Sequence, residues 1–227
     1  MRLMIMAAVL GGWLGGGRVA LAAQAAPART GPLPDMNAIA KALGVSCSHC
    51  HVQGDFASDA NPKKGVARQM LAMTRDINAR VAAAAGKPAT AAVAVQCATC
   101  HRGQPVPRSL TETLIAAIGA DGNAAGAERY RDLRTRYYGR DTFDFSEQEF
   151  LSFCFRLAES RPDAAIPILN VHLEFTPRSA DAYVALSRAY VVKRDRPSAI
   201  AALKKALEIE PAHGLAQGYL AQLDTGR

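Results

Sequence analysis

After residue 23 this 227-residue chain has no apolar stretch long enough to cross a bilayer. No cysteine precedes Cys47, so a lipid-modified N-terminal cysteine is not expected. Strand-like alternation is almost absent from residues 24–110, which leaves helices and loops for that half. The formal net charge is +7, yet no cluster of Lys and Arg interleaves with aromatics, and this argues against a nucleic-acid surface. Histidine and cysteine are scarce, with five of each. That scarcity gives weight to where they fall.

Four of the five cysteines form two C-x-x-C-H motifs, Cys47-Ser-His-Cys50-His51 and Cys97-Ala-Thr-Cys100-His101. This order is the attachment signature of a c-type haem. Two thiols bond covalently to the haem, and the histidine after the second thiol reaches the iron as an axial ligand. Three other uses of paired cysteines compete. Structural disulfides are ordinary in an oxidising compartment. A thioredoxin-like pair needs a βαβ context that this sequence lacks. Structural zinc has enough thiolate and imidazole in the two clusters. Neither zinc nor a dithiol explains why His directly follows the second Cys in both copies. The expectation is two covalently bound haem c groups, held by Cys47 and Cys50 and by Cys97 and Cys100, with His51 and His101 on the irons.

Covalent haem attachment goes with export, and the N-terminus fits. Arg2 precedes an apolar run from Leu3 to Leu14, followed by small residues in Val19-Ala-Leu-Ala-Ala-Gln-Ala25. That is the pattern of a secretory signal over residues 1–23, with cleavage after Ala22, Ala23 or Ala26. A retained segment would anchor the protein at the membrane, but Arg18 and its neighbouring glycines interrupt the run. A periplasmic location follows as the expectation.

Charge divides the rest of the chain. Residues 24–110 hold ten Lys or Arg against four Asp or Glu, whereas residues 111–227 hold fifteen against sixteen. The basic excess lies on the half that carries the motifs, where haem propionates would offset it. In that half Asp35 can cap a helix from Met36 to Leu43, ended by Gly44. A polar loop runs from Val52 to Asn61. Asn61-Pro62 then opens a longer helix, with an apolar stripe of Val66, Met70, Met73, Ile77 and Val81 and a stop at Gly86-Lys-Pro88. An Ala-rich run to Val95 leads into the second motif, and Pro105-Val-Pro107 marks a linker. The spacing places a haem-carrying domain at residues 33–107 and a separate helical domain at 111–227.

The C-terminal half contains an internal repeat. Ala165, Leu169, Leu173, Glu174 and Pro177 recur 34 residues later as Ala199, Leu203, Leu207, Glu208 and Pro211. A helical period of 34 residues is the tetratricopeptide signature. The second copy places Tyr183, Leu186 and Tyr190 where such repeats use aromatic and apolar residues. The first copy lacks that early pair, and Pro167 inside its second helix should kink the chain. Helices at 124–138 and 214–223 would flank the array. Cys154, between Phe153 and Phe155, reads as a buried apolar thiol.

Each iron needs a second axial ligand for six-coordination. Beyond the motif histidines only His49, His172 and His213 remain, and the last two lie in the repeat half. His49 sits between the thiols of its own motif and projects away from that iron. Methionine is the better candidate, since a soft thioether ligates iron and raises its potential. Once the signal is removed Met36, Met70 and Met73 remain, all on the two helices of the haem half. Core packing is the commoner role of a helical methionine. Arg68 and Arg102 can serve as propionate partners or as solvated surface charge.

Three stretches taken in order carry a family resemblance: Met36-Asn-Ala-Ile-Ala-Lys-Ala-Leu-Gly-Val-Ser-Cys47, then Ala67-Arg-Gln-Met-Leu-Ala-Met73 with Ile77-Asn78, then Cys97-Ala-Thr-Cys-His-Arg-Gly103. They resemble the cytochrome c subunit of photosynthetic reaction centres, and more closely its short relatives in non-photosynthetic bacteria. The resemblance covers about residues 33–107. It implies an all-α fold in which a helix, a turn and a C-x-x-C-H hold each haem and the helix supplies an axial Met. On that basis Met36 would face the haem of His51, and Met70 the haem of His101, with Met73 as the competing ligand. The full subunit carries four haems and usually a lipoprotein cysteine, whereas this chain has two motifs and no such cysteine. The resemblance therefore implies electron transfer without implying a reaction-centre partner.

The reading at this level is a periplasmic dihaem c-type cytochrome that carries electrons between redox partner proteins and is not an enzyme. The helical-repeat domain would offer a concave docking surface to a protein partner. A dihaem peroxidase or reductase with one open iron site, and a haem-based redox sensor or scaffold, are the alternatives.

Overall fold

The structure is a computed structural model that describes residues 35–86 and 94–225. The expected signal segment and most of the Ala-rich run before the second motif lie outside the described residues. Among those described, the chain is all-helical, and its only extended pairing is an isolated bridge between Val52 and Asp55. No described helix is long and apolar enough to cross a membrane.

The motif-bearing half has two substantial helices with locally coded ends. α1 spans Met36–Leu43. Asp35 accepts from the N–H groups of Asn37 and Ala38, at 2.9 and 3.2 Å, satisfying donors that the first turn leaves free. Gly44 closes the helix in the left-handed region at φ 66°, a conformation costly for a residue with a Cβ. α2 spans Pro62–Ala85, capped by Asn61 on Lys63 N–H and ended by Gly86 at φ 61°. The first C-x-x-C-H begins in a single 3₁₀ turn, Cys47–His49, and the second forms α3, Cys97–His101.

Seven further helices follow among the described residues: α4 Leu110–Asp121, α5 Asn123–Tyr137, α6 Glu147–Ser160, α7 Pro162–Phe175, α8 Ala180–Val192, α9 Arg196–Ile209 and α10 Gly214–Asp224. Each packs on the next with the exception of the α5–α6 step, where α5 instead meets α7, just as α6 meets α8. That staggered pairing stacks the helices around a large apolar interior, with a smaller second cluster of Ala180, Val184, Leu203, Ala206 and Ala216 at the C-terminal end. Tyr130, Phe150, Leu114, Leu133, Ile168 and Leu169 are the largest fully buried side chains of the larger interior. Gly126 lets α5 come close to α4 and α7, since a Cβ there would press on Ile118 and Ile168.

Sequence reasoning anticipated α5 and α10 to within a residue or so of their ends, but not α4 or α6. α4 carries its buried residues at Leu110, Leu114 and Ile118, a spacing of four, and Ser109 and Glu112 form a capping box at its start. That signal was available beside the Pro-rich linker. The period of 34 reappears in the helix starts: α7 and α9, of 14 residues each, start 34 apart, and α8 and α10, of 13 and 11 residues, also start 34 apart. Pro167 does not interrupt α7. The carbonyl it deprives of a donor is that of Asp163 in the exposed first turn, where water can replace the bond.

Two buried groups of this half are structural. Cys154 is fully buried, and burial pushes its thiol well above the ordinary range, so it stays protonated and inert. His172 stacks on Phe150 with ring centroids 4.6 Å apart, and its Nδ1 lies 2.9 Å from Tyr130 Oη. Burial holds its pKa below the usual histidine value, against a weaker opposing pull from Glu147.

Removing buried atoms from this interior should be expensive: Ile168→Ala is expected to lower the unfolding free energy by about 2–5 kcal/mol, measurable by urea titration. The depressed pKa of His172 sets a pH dependence as well. The folded state resists protonation that the unfolded chain accepts, so its contribution is complete above about pH 6.5 and is lost as the pH falls toward the lower folded value. Unfolding free energy measured across this window should fall with acidification, and His172→Gln should flatten that fall.

Candidate haem sites

The two motif histidines share one arrangement. His51 Nδ1 lies 3.1 Å from the carbonyl oxygen of Phe56, and His101 Nδ1 lies 2.9 Å from that of Gln104. A carbonyl only accepts, so Nδ1 carries the proton and donates in both cases. Nε2 is then left with its lone pair free for a metal, the tautomer that an axial imidazole requires. All four motif cysteines are free thiols, each at least partly exposed.

The surroundings differ. After His51 the chain turns through the loop 52–61, where Lys64 from the first turn of α2 gathers three successive carbonyls. Its Nζ donates to Phe56, Ala57 and Ser58 oxygens at 3.0, 2.8 and 2.8 Å. It also pairs with Asp59 at 3.1 Å. Arg68 joins the same carboxylate through both terminal nitrogens, at 2.6 and 3.0 Å. Hydrogen bonds from Arg68 and then Lys64 hold the Asp59 carboxyl down to about 2. Arg68, one of the two arginines considered for propionates, is thus committed to Asp59.

After His101 the turn is tighter. Arg102 adopts φ 47°, unusual for a side-chain-bearing residue, and Gly103 follows at φ 85°. Gly103 N–H donates to Ala42 O in the last turn of α1 at 2.7 Å. A Cβ on Gly44 would collide with the Gly103 carbonyl, so the two glycines permit α1 to seat against α3. Gln104 extends its amide to the carbonyls of Arg108 and Thr142, at 3.4 and 3.5 Å. A groove beside the second motif is lined by Cys100, Arg102, Ser109, Glu112, Phe143 and Asp144, so this motif borders the helical half.

α2 is fastened near both motifs through asparagines. Asn61 caps α2 and also donates through Nδ2 to His49 O inside the first motif, at 3.1 Å. Asn78, four turns along, accepts from Val95 N–H at 2.7 Å and donates to Val95 O at 2.9 Å. That double clamp fixes the strip of chain leading into Cys97. Sequence reasoning gave neither asparagine this role. Asn78 already stood in the stretch that carried the family resemblance, which was the available signal.

The methionines fit a haem environment rather than a protein core. Met36, Met70 and Met73 are 45%, 40% and 46% exposed, and Val66, Val52 and Phe56 are exposed in the same half. Ala42 is the only buried apolar residue described before Leu110. Exposed apolar side chains in the half that carries the free thiols and singly committed histidines suit a large flat apolar group held covalently. Among the described residues no three or more His, Cys, Asp or Glu side chains converge on a metal position. His49 lies 3.4 Å from Lys63 Nζ, and His213 caps α10 while bonding Asp181 at 2.9 Å. Neither these nor the buried His172 joins the motif histidines.

Comparison with known proteins points the same way. Residues 26–136 match the family model described as photosynthetic reaction centre cytochrome C subunit. Cytochrome c-554 of Chloroflexus aurantiacus is 45% identical over 67 residues, covering 30% of this chain and 16% of that protein. The photosynthetic reaction center cytochrome c subunit of Rubrivivax gelatinosus is 38% identical over 69 residues, covering 30% and 17%. That of Thermochromatium tepidum is 42% identical over 62 residues, covering 27% and 14%. The similarity thus spans about a sixth of the length of these relatives. No solved structure matches this chain.

The Asn78 clamp gives a direct test. Asn78→Ala removes two partly buried hydrogen bonds and should cost about 1–3 kcal/mol in urea unfolding. Asn78→Asp keeps only the acceptor and should recover part of that loss.

Proposed function

We propose that this chain, whose residues 26–136 match the family model described as photosynthetic reaction centre cytochrome C subunit, is a periplasmic dihaem c-type cytochrome that carries electrons between redox partner proteins. The carrying observation is the paired arrangement of His51 and His101, each with Nδ1 spent on a main-chain carbonyl beside two free thiols. Haem c supplies reversible one-electron exchange at its iron. The thiols of Cys47 and Cys50, and of Cys97 and Cys100, would hold the two haems covalently as thioethers, and His51 and His101 would ligate iron through Nε2.

Met36 and Met70 complete the two iron sites, Met36 for the motif that follows α1 and Met70 for the motif that follows α2. The exposure of both side chains leaves them free for this role. Met73 lies one turn from Met70 on the same helix, is as exposed, and is the competing ligand. With His and Met both ligating, each haem would relay electrons rather than bind substrate, so no catalytic residue is assigned. Residues 1–23 direct export and are removed, and a retained segment would add a membrane anchor. The stacked helices of residues 111–227, tetratricopeptide-like in period, serve as a docking surface for a protein partner. Exposed Tyr138, Phe175, Val191 and Val192 support such contacts.

Pyridine haemochrome analysis of the purified protein should return two c-type haems per chain, and one or none would sink the dihaem reading. Met36→Leu and Met70→Leu should each abolish the sulfur-to-iron charge-transfer band of one haem and lower one potential. Met73→Leu should leave both unchanged. The reverse result at Met70 and Met73 would move the ligand by one turn.

A further inference from the structure

The two motif histidines are held by carbonyls of unequal strength. Among the described residues no cation hydrogen-bonds Gln104 O, which accepts from His101 Nδ1, although Arg102 and Arg108 line the same groove, whereas Phe56 O is shared between His51 Nδ1 at 3.1 Å and the Lys64 ammonium at 3.0 Å. Lys64 is placed firmly. Two more carbonyls and Asp59 surround the same nitrogen, and the side chain is only 14% exposed.

Two effects follow from this contact, and both have the same sign. An imidazole whose Nδ1–H meets a strong acceptor gains anionic character and donates more to the iron, which favours the ferric state. An ammonium on that acceptor withdraws electron density from the oxygen, weakens the Nδ1–H bond and reduces the donation. The second effect is Coulombic: a partly buried positive charge on the carbonyl that binds the His51 ring would favour the state that has gained an electron. Asp59 offsets some of this charge but also carries Arg68, so the group of Lys64, Arg68 and Asp59 remains positive overall. With its carboxyl held down to about 2, Asp59 stays ionised at any ordinary pH, so the balance is fixed.

We infer that Lys64 is a positioning residue that sets the reduction potential of the haem on the first motif above that of the haem on the second. The inference rests on the dihaem reading above. The change involved is one electron added to ferric iron to give ferrous, supplied by a reduced partner protein and passed to an oxidised one. An electron entering at either motif therefore settles on the one bonded to Cys47 and Cys50.

The test is potentiometric titration of the full-length holoprotein, followed in the haem absorption bands, with the histidine ring nitrogen resonances of His51 and His101 assigning the two steps. Lys64→Met should lower the upper potential and leave the lower one in place. Lys64→Gln, which keeps a donor for the carbonyls without the charge, should do the same and guards against a variant that fails to load. Lys64→Arg, which retains the cation, should stay near the parent value, and Asp59→Asn should raise the upper potential. An unmoved upper step, an equal fall of both steps, or the same fall in Lys64→Arg overturns the inference. A count below two haems per chain overturns the dihaem reading and this inference with it. Two haems with an unmoved upper step overturn the inference alone.

Discussion

The hydrogen bond from each motif histidine to a main-chain carbonyl is the contact on which the haem half depends. It selects the tautomer, orients the ring and leaves Nε2 free for a metal. Each such bond needs a carbonyl delivered to the right place by a few residues of irregular chain. The loop 52–61 delivers Phe56 O, and the Lys64 ammonium keeps that loop from opening. The turn at Arg102 and Gly103 delivers Gln104 O at the cost of a positive φ on an arginine.

Polar clamps are prominent in this half because it buries so little of its own. Among the described residues before Leu110 only Ala42 is a buried apolar residue, while α4 to α10 enclose two apolar clusters, the larger built on Leu114, Tyr130, Phe150 and Ile168 and the smaller on Val184, Leu203 and Ala216. The hydrophobic effect scales with area removed from water, so it organises the second half and does little for the first. Asn61 on His49 and Asn78 on Val95 do that positioning instead, bonding backbone groups that have no partner within a helix. The two halves meet where Gln104 reaches Thr142 and where the second motif borders Phe143 and Asp144.

Legibility followed the range of the interaction. The ends of α1 and α2 were readable because Asp35, Gly44, Asn61, Pro62 and Gly86 act on groups within one helical turn. The spacing of 34 was readable because it repeats the same short-range choices, and the helix ends reproduce it. α4 was missed although Leu110, Leu114 and Ile118 carry a helical spacing, because Pro105 and Pro107 drew the reading toward a linker. α6 was missed although Phe150, Leu151, Cys154, Leu157 and Ala158 recur at helical spacing, because the first repeat copy lacks the early aromatic and apolar pair that marks the second.

The sequence by itself determined the chemistry: two thiols and an adjacent imidazole in a fixed order, a limited stock of methionines, and helices with caps written beside them. These are properties of neighbouring residues, and neighbours stay neighbours in any fold. Only the tertiary structure decided which carbonyl receives each histidine, that Lys64 shares one of them, and that Asn78 holds Val95. Those contacts join residues through loops without a repeating pattern, so the path of the chain in space rather than its local composition sets them.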